Sequence, residues 1–80
     1  MKVYRRVRDL REDRDLRQWQ LAEILNVSQR AYSYYENGVH SLTPEALAKL
    51  ALFYHVSVDY LLELTDDPTP PKRKRPPKAP

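Results

Sequence analysis

The stretch "QWQLAEILNVSQRAYSYYENG", residues 18–38, contains two short helical patterns that are separated by only three residues. The first pattern carries one apolar stripe and ends at Asn26, a residue type that tolerates the left-handed backbone of a helix end. Ser28 can cap the second helix, which we predict to run to about Glu36 and to stop at residues 37–38. Helices joined by so tight a turn cross steeply, which is the geometry of a helix-turn-helix.

The second helix of this stretch has two different faces. At about 100° per residue, Tyr32 and Tyr35 share an apolar face with Ala31. The residues of the opposite face are polar: Gln29, Arg30, Ser33, Tyr34 and Asn37. Glutamine can bond adenine and arginine can bond guanine, each through two hydrogen bonds, and tyrosine can stack or reach a phosphate. Tyr34 is therefore either a contact residue or a solvated surface aromatic.

The rest of the apparent domain is also helical in pattern. Apolar residues recur every three or four positions from Val3 to Leu10, which predicts a first helix. Thr43 and Pro44 begin a fourth helix as cap and first residue, and Ser57 can cap a short fifth one. The apolar set of the fourth helix is Leu47, Leu50, Ala51 and Phe53 or Tyr54. No segment alternates long enough to indicate a strand, so we predict an all-α fold of five short helices.

Charge and proline divide the chain into two parts. Residues 1–65 hold nine basic and nine acidic residues, so the net charge of +3 comes from residues 66–80, which also hold six of the seven prolines. We predict a domain over residues 1–65 and an extended or disordered Pro-rich basic tail over residues 66–80. The run "KRKR" at residues 72–75 is a solvated spacer, a basic arm for phosphate contacts, or a patch for an acidic partner or a membrane surface.

Several classes of function are not expected. The chain has no cysteine, and His40 and His55 are fifteen residues apart without further ligands at metal-binding spacing. With a single glycine there is no phosphate-binding loop, and no nucleophile motif occurs. The N-terminus lacks a signal-peptide pattern and no apolar run could span a membrane. We expect a cytoplasmic protein that is not an enzyme, with no metal, no cofactor and no small-molecule ligand.

Residues 5–64 resemble the DNA-binding domain of the XRE/Cro type of phage and bacterial repressors. The resemblance rests on spaced motifs along the chain: Leu10-Arg11, Leu16, Gln18, Leu21-Ala22, Val27-Ser28, Glu36-Asn37-Gly38, Leu47, Leu50-Ala51, Val56-Ser57, Asp59 and Leu61-Leu62. It implies a compact, lambda-repressor-like bundle of five helices in which helices 2 and 3 form the helix-turn-helix. It also implies a transcriptional regulator, in particular a repressor, that inserts helix 3 into the major groove.

The resemblance also assigns roles to particular residues. The implied base-contacting residues are Gln29, Arg30, Ser33 and Tyr34. The implied phosphate-contacting residues are Arg17, Gln18 and the backbone of Asn37 and Gly38. Arg11 and Glu36 are implied to form a buried ion pair that orients helices 1 and 3. Because a single unit of this size reads few base pairs, we expect a homodimer on a palindromic double-stranded operator, close to the bacterial nucleoid. The expected dimer surface is helix 5, with Val58, Leu61, Leu62 and Leu64.

Several positions depart from the family pattern, among them Trp19 and Ile24, which stand where helix 2 of the family is usually charged and exposed. Arg17 stands where the family has a serine or threonine cap, which costs helix 2 about 0.5–2 kcal/mol. Asp15 and Asn26 replace the glycines of two turns, although both types tolerate a left-handed backbone. Trp19 is a partly buried lid, a contact to the sugar-phosphate or a partner, or merely exposed.

Two other functions fit the same sequence. One is a protein-interaction module on the same fold, such as an antitoxin or an antagonist of another regulator. The other is a non-specific nucleic-acid binder that works through its basic tail.

Overall fold

The computed structural model of the protein describes residues 3–71, so the interpretations of residues 72–75 lie outside it. The helices are α1 (Arg5–Asp13), α2 (Gln18–Leu25), α3 (Gln29–Glu36), α4 (Pro44–Tyr54) and α5 (Val58–Leu61). No strand is formed between residues 3 and 71. The predicted all-α fold of five helices is confirmed.

Side-chain caps begin the last three helices. Ser28, Thr43 and Ser57 each accept a hydrogen bond from the backbone N–H three residues further on, at 3.0–3.1 Å. Each cap satisfies one of the N–H groups that have no partner within the helix. The predicted starts of α3, α4 and α5 are therefore confirmed.

Residues with a left-handed backbone conformation lie in the turns that follow α1, α2 and α4. Asn26, at φ 56° and ψ 46°, closes α2, and Asp15, at φ 54°, lies between α1 and α2. Both positions have the conformation that the sequence predicted for them. His55 ends α4 in the same way, at φ 57° and ψ 50°, which the sequence indicated only as a break in the helix.

One detail of the predicted apolar pattern needs correction, and one alternative that it left open is decided. Val3 precedes α1 and is 43% exposed, so the buried side of α1 depends on Val7 instead. At the end of α4, Tyr54 lies in the core while Phe53 is 40% exposed. The helix turns about 100° between these neighbours, so only one of them can face inward.

The core lies where all five helices meet. Its buried apolar residues are Val7, Leu21, Ala22, Leu25, Tyr32, Ala46, Leu50, Ala51, Tyr54, Val56 and Leu61. Tyr32 and Tyr54 are its largest members, and both rings are fully buried. Burial raises the pKa of Tyr54 to about 12 and that of Tyr32 further still, so both hydroxyls are neutral at physiological pH.

Arg6 joins the two ends of the described chain. Its guanidinium donates to the carbonyl oxygen of Tyr60 at 2.9 Å, to that of Thr65, and to the carboxylate of Asp66 at 2.6 Å. The backbone N–H of Ser57 also donates to the carbonyl oxygen of Pro68, at 3.1 Å. The first residues beyond position 65 therefore lie against the beginning of α5.

None of the helices within residues 3–71 is long and apolar enough to cross a membrane.

Candidate nucleic-acid interface

A shallow concave surface of about 490 Å³ lies along the outer side of α3 and the start of α2. Its lining residues are Gln18, Gln29, Arg30, Ser33 and Tyr34, and we refer to it as the α2–α3 surface. It brings together all four of the residues predicted to contact bases and one of those predicted to contact phosphate. The two-faced pattern of α3 explains this grouping, because Tyr32 on the opposite face is fully buried.

The side chains of the α2–α3 surface differ in their solvent exposure. Gln29 and Arg30, in the first turn of α3, are exposed, whereas Ser33 and Tyr34 are partly buried. Asn37 extends the same face by one turn, since its side-chain amide donates to the hydroxyl of Ser33 at 3.2 Å. This face of α3 therefore presents hydrogen-bonding groups from its first residue to its last turn.

A buried ion pair lies directly behind this surface. The guanidinium of Arg11 donates to both carboxylate oxygens of Glu36, from Nε at 2.6 Å and from Nη2 at 3.1 Å. Arg11 also donates from Nη1 to the carbonyl oxygen of Leu16, at 2.9 Å. The pair thereby fixes α1, the turn before α2 and the end of α3 relative to one another.

Gln18 links the ion pair to the surface. Its side-chain amide donates to Oε1 of Glu36 at 3.3 Å, and the same side chain lines the α2–α3 surface. Burial alone would raise the pKa of Glu36, but the hydrogen bonds from Arg11 and Gln18 outweigh it and hold the pKa below its ordinary value. The hydrogen bond to Glu36 in turn raises the pKa of Arg11. Both partners are therefore charged at physiological pH.

The start of α2 lacks a side-chain cap, as the sequence predicted for Arg17. An arginine side chain has no acceptor, so it cannot satisfy the first N–H groups of the helix. The side-chain bond in this turn runs the other way, from the backbone N–H of Arg17 to Oε1 of Gln20 at 2.8 Å. Arg17 is exposed beside Gln18, and Trp19 in the same turn is 47% exposed.

The end of α3 is a turn built on the only glycine of the chain. Gly38 has a positive φ of 76°. Its N–H donates to the carbonyl oxygen of Tyr35 at 3.4 Å, and the N–H of Val39 donates to the carbonyl oxygen of Tyr34 at 2.9 Å. These two bonds form a Schellman motif, for which glycine is preferred. The backbone N–H of Asn37 donates to Ser33 at 3.0 Å. The backbone N–H groups of Asn37 and Gly38 therefore already have acceptors at the end of the helix. Phosphate contacts by these two residues stay predictions.

This turn places His40 beside Tyr34, which the sequence did not predict. The two ring centroids are 5.0 Å apart and the rings are tilted by 60°. The glycine that ends α3 was visible in the sequence, but the path of the chain after it was not.

Among residues 3–71, no group of three or more histidine, aspartate or glutamate side chains could hold a metal ion.

The chain is similar to transcriptional regulators of the helix-turn-helix type. A helix-turn-helix family model matches residues 7–61. YobD, an uncharacterized HTH-type transcriptional regulator of Bacillus subtilis, is 43% identical over 65 residues, which make up 81% of this chain and 58% of YobD. RstR, the transcriptional repressor of the cryptic phage CTXphi in Vibrio cholerae, is 40% identical over 57 residues, or 71% of this chain and 51% of RstR. The chain thus spans little more than half the length of these two relatives.

One similar solved structure is that of the P22 c2 repressor in complex with synthetic operator 9T in the presence of Tl⁺. The two structures superimpose with a TM-score of 0.67 at 29% sequence identity. The match covers 76% of this chain and 94% of the P22 c2 repressor chain. This structural similarity to a phage repressor confirms the lambda-repressor-like architecture that the sequence predicted.

Proposed function

This chain belongs to the helix-turn-helix family, and from that premise we propose that it is a sequence-specific double-stranded DNA-binding transcriptional regulator of the repressor type. The observation that carries the proposal is the α2–α3 surface. Four hydrogen-bonding side chains of one helix face and the start of the preceding helix converge there without any deep cavity. That combination suits the base edges in a DNA groove better than it suits a small molecule.

In the proposed complex α3 enters the major groove. Gln29 and Arg30, the most exposed residues of the surface, would hydrogen-bond to base edges, and Ser33 and Tyr34 would contact the next bases along the helix. An eight-residue helix is about 12 Å long. Since base pairs rise by about 3.4 Å, one α3 can read only about four of them.

Phosphate contacts would hold α3 in this register. Gln18 and Arg17 lie at the first turn of α2, and the N-terminal end of a helix favours an anion. Gln18 is held in place by Glu36, so this contact is prepared before DNA binds. Asn37 and Gly38 complete the proposed set of phosphate contacts at the other end of α3.

A twofold homodimer on a palindromic operator is the working form that we propose. One α3 reads too few base pairs to select a site, whereas two half-sites one helical turn apart, about 34 Å, double the sequence that is read. The proposed dimer surface is α5 with the residues that follow it, because Leu64 is 70% exposed while Leu61 is committed to the core. This function would place the protein with the nucleoid in the bacterial cytoplasm.

The direct test is operator binding by variants of the base-facing residues. Arg30→Ala and Gln29→Ala should each weaken specific binding by about 1–3 kcal/mol and relax the preference at one base pair, while non-specific binding changes little. Lys49→Ala is the matched control, because Lys49 is an exposed cation of α4 that does not line the α2–α3 surface. If both variants kept full operator specificity while losing a protein partner, the protein would be an interaction module instead.

A further inference from the structure

The rings of His40 and Tyr34 are in contact at the edge of the α2–α3 surface. Their centroids are 5.0 Å apart and the rings are tilted by 60°. This is within the range of tilted aromatic pairs, which attract one another beyond their burial. The contact involves the one aromatic side chain among the residues that line the surface.

Backbone hydrogen bonds also connect the two residues of this ring pair. The carbonyl oxygen of Tyr34 accepts the N–H of Val39 at 2.9 Å and the N–H of His40 at 3.2 Å. The two residues that carry the rings are therefore joined by a hydrogen bond as well as by the ring contact. The positive φ of Gly38 makes this return of the chain possible.

The ring of His40 contacts Tyr34 but is not part of the α2–α3 surface. Tyr34 lines that surface and His40 does not. His40 instead lines a separate cavity of about 210 Å³, together with Tyr35, Ser41 and Leu47. The ring of Tyr34 thus has a neighbour from outside the α2–α3 surface.

We propose that His40 is a positioning residue for Tyr34, and that the ring pair sets the discrimination at the base pair that Tyr34 faces. The proposal rests on the proposed function, because it concerns one contact of the α3–DNA complex. A tyrosine ring that is already held loses less conformational freedom on binding than a free one. The histidine therefore acts through its ring, and its charge is not needed.

Three substitutions of His40 separate ring from charge. His40→Ala should reduce discrimination at the base pair of Tyr34 by about 2- to 10-fold, which is the range of aromatic pair interactions. His40→Phe should restore it, and His40→Lys should not. Ser41→Ala, an exposed neighbour in the same loop, should have no effect.

The readout is Kd for the selected operator and for each single base-pair variant of one half-site. Tyr34→Ala first identifies the base pair concerned, and the double variant with His40→Ala should show no loss there beyond that of Tyr34→Ala. In the free protein, the NMR shifts of the Tyr34 ring protons should change in His40→Ala and return towards the wild-type values in His40→Phe. Circular dichroism checks that each variant is folded.

Four outcomes would overturn the inference: His40→Ala keeps full discrimination, Tyr34→Ala keeps it, His40→Lys restores it as well as His40→Phe does, or the Tyr34 ring shifts are the same in His40→Ala as in the wild type. The lysine result would make His40 a phosphate contact, and it would also steepen the salt dependence of binding. If the wild-type protein has no preferred sequence, the proposed function fails and this inference fails with it. A wild-type preference that His40→Ala leaves intact defeats only the inference.

Discussion

The carboxylate of Glu36 accepts hydrogen bonds from Arg11 of α1 and from Gln18 of α2. A single buried group therefore contacts both the packed interior of the bundle and a residue of the α2–α3 surface. Its side chain is 2% exposed and that of Arg11 is 14% exposed. Charges so far from water are expensive unless they are paired. The pair therefore matters more for the relative placement of α1, α2 and α3 than for net stability.

Removing one partner of this pair should be costly. Arg11→Met leaves the Glu36 carboxylate buried without its cation, and the free energy of unfolding should fall by about 3–5 kcal/mol. The double variant Arg11→Met/Glu36→Leu should regain much of that loss, because no buried charge is left. Urea unfolding measures both, and a loss below about 1 kcal/mol in the single variant would contradict the account.

Acid should remove the stabilisation that comes from Glu36. Its folded-state pKa lies below the ordinary value of 4.5, so the unfolded chain takes up this proton first as the pH falls. The contribution is complete above pH 4.5 and is lost as the pH falls through the folded-state pKa. Urea unfolding between pH 6 and pH 3 should show the wild-type protein losing its advantage over Glu36→Gln. A constant difference across that range would show that the carboxylate is not stabilised in the fold.

At the scale of elements, α2 and α3 differ in how they begin. Ser28 caps α3 with its side chain, whereas Arg17 leaves α2 without a side-chain cap. The N-terminal end of a helix favours an anion, and no side-chain cap competes for that place at α2. The weaker start of α2 is thus consistent with a phosphate contact at that position.

Restoring the missing cap should separate stability from binding. Arg17→Ser should stabilise the protein by about 0.5–2 kcal/mol, because the new hydroxyl accepts a backbone N–H. The same change should weaken binding to all DNA sequences and lower the salt slope by about one phosphate contact. Ser28→Ala is the counterpart and should cost about the same stability. Thermal unfolding and binding at several salt concentrations test this, and unchanged non-specific affinity in Arg17→Ser would remove Arg17 from the interface.

Local chemistry explains which elements the sequence could predict. Caps at Ser28, Thr43 and Ser57 and the left-handed Asn26 depend on a few neighbouring residues, and all were found as expected. The two faces of α3 follow from helical periodicity alone, which is why the α2–α3 surface contains the predicted base-facing residues.

Features that depend on contacts between distant residues were not predictable in this way. Arg6 binds the carbonyl of Thr65, 59 positions away, and nothing in the pattern around Arg6 indicates that partner. The approach of His40 to Tyr34 depends on the backbone path after Gly38, which periodicity does not specify.

At the scale of the whole molecule, the domain and the start of the predicted tail are in contact. Asp66 pairs with Arg6, and Pro68 accepts a hydrogen bond from Ser57, so residues up to position 68 adjoin α5. Asp66 itself is fully exposed, and such an ion pair contributes little. The contact between Ser57 and Pro68 joins two backbone groups and does not depend on a charge.

Two truncations should distinguish the parts of the predicted tail. Ending the chain after Pro71 removes all five tail cations and should weaken DNA binding while leaving the preferred sequence and the unfolding midpoint unchanged. Ending it after Thr65 also removes the hydrogen bond to Ser57 and should lower stability by about 1 kcal/mol. Loss of all DNA binding in the first truncation would instead indicate a tail-driven, non-specific binder.

The central claim is that α3 reads a DNA sequence in the major groove. Selection from random double-stranded oligonucleotides at about 150 mM salt tests it most directly. We predict a palindromic consensus with half-sites about one helical turn apart, and a change of that consensus in Gln29→Ala or Arg30→Ala. A selection that enriches no sequence above the starting pool would contradict the account.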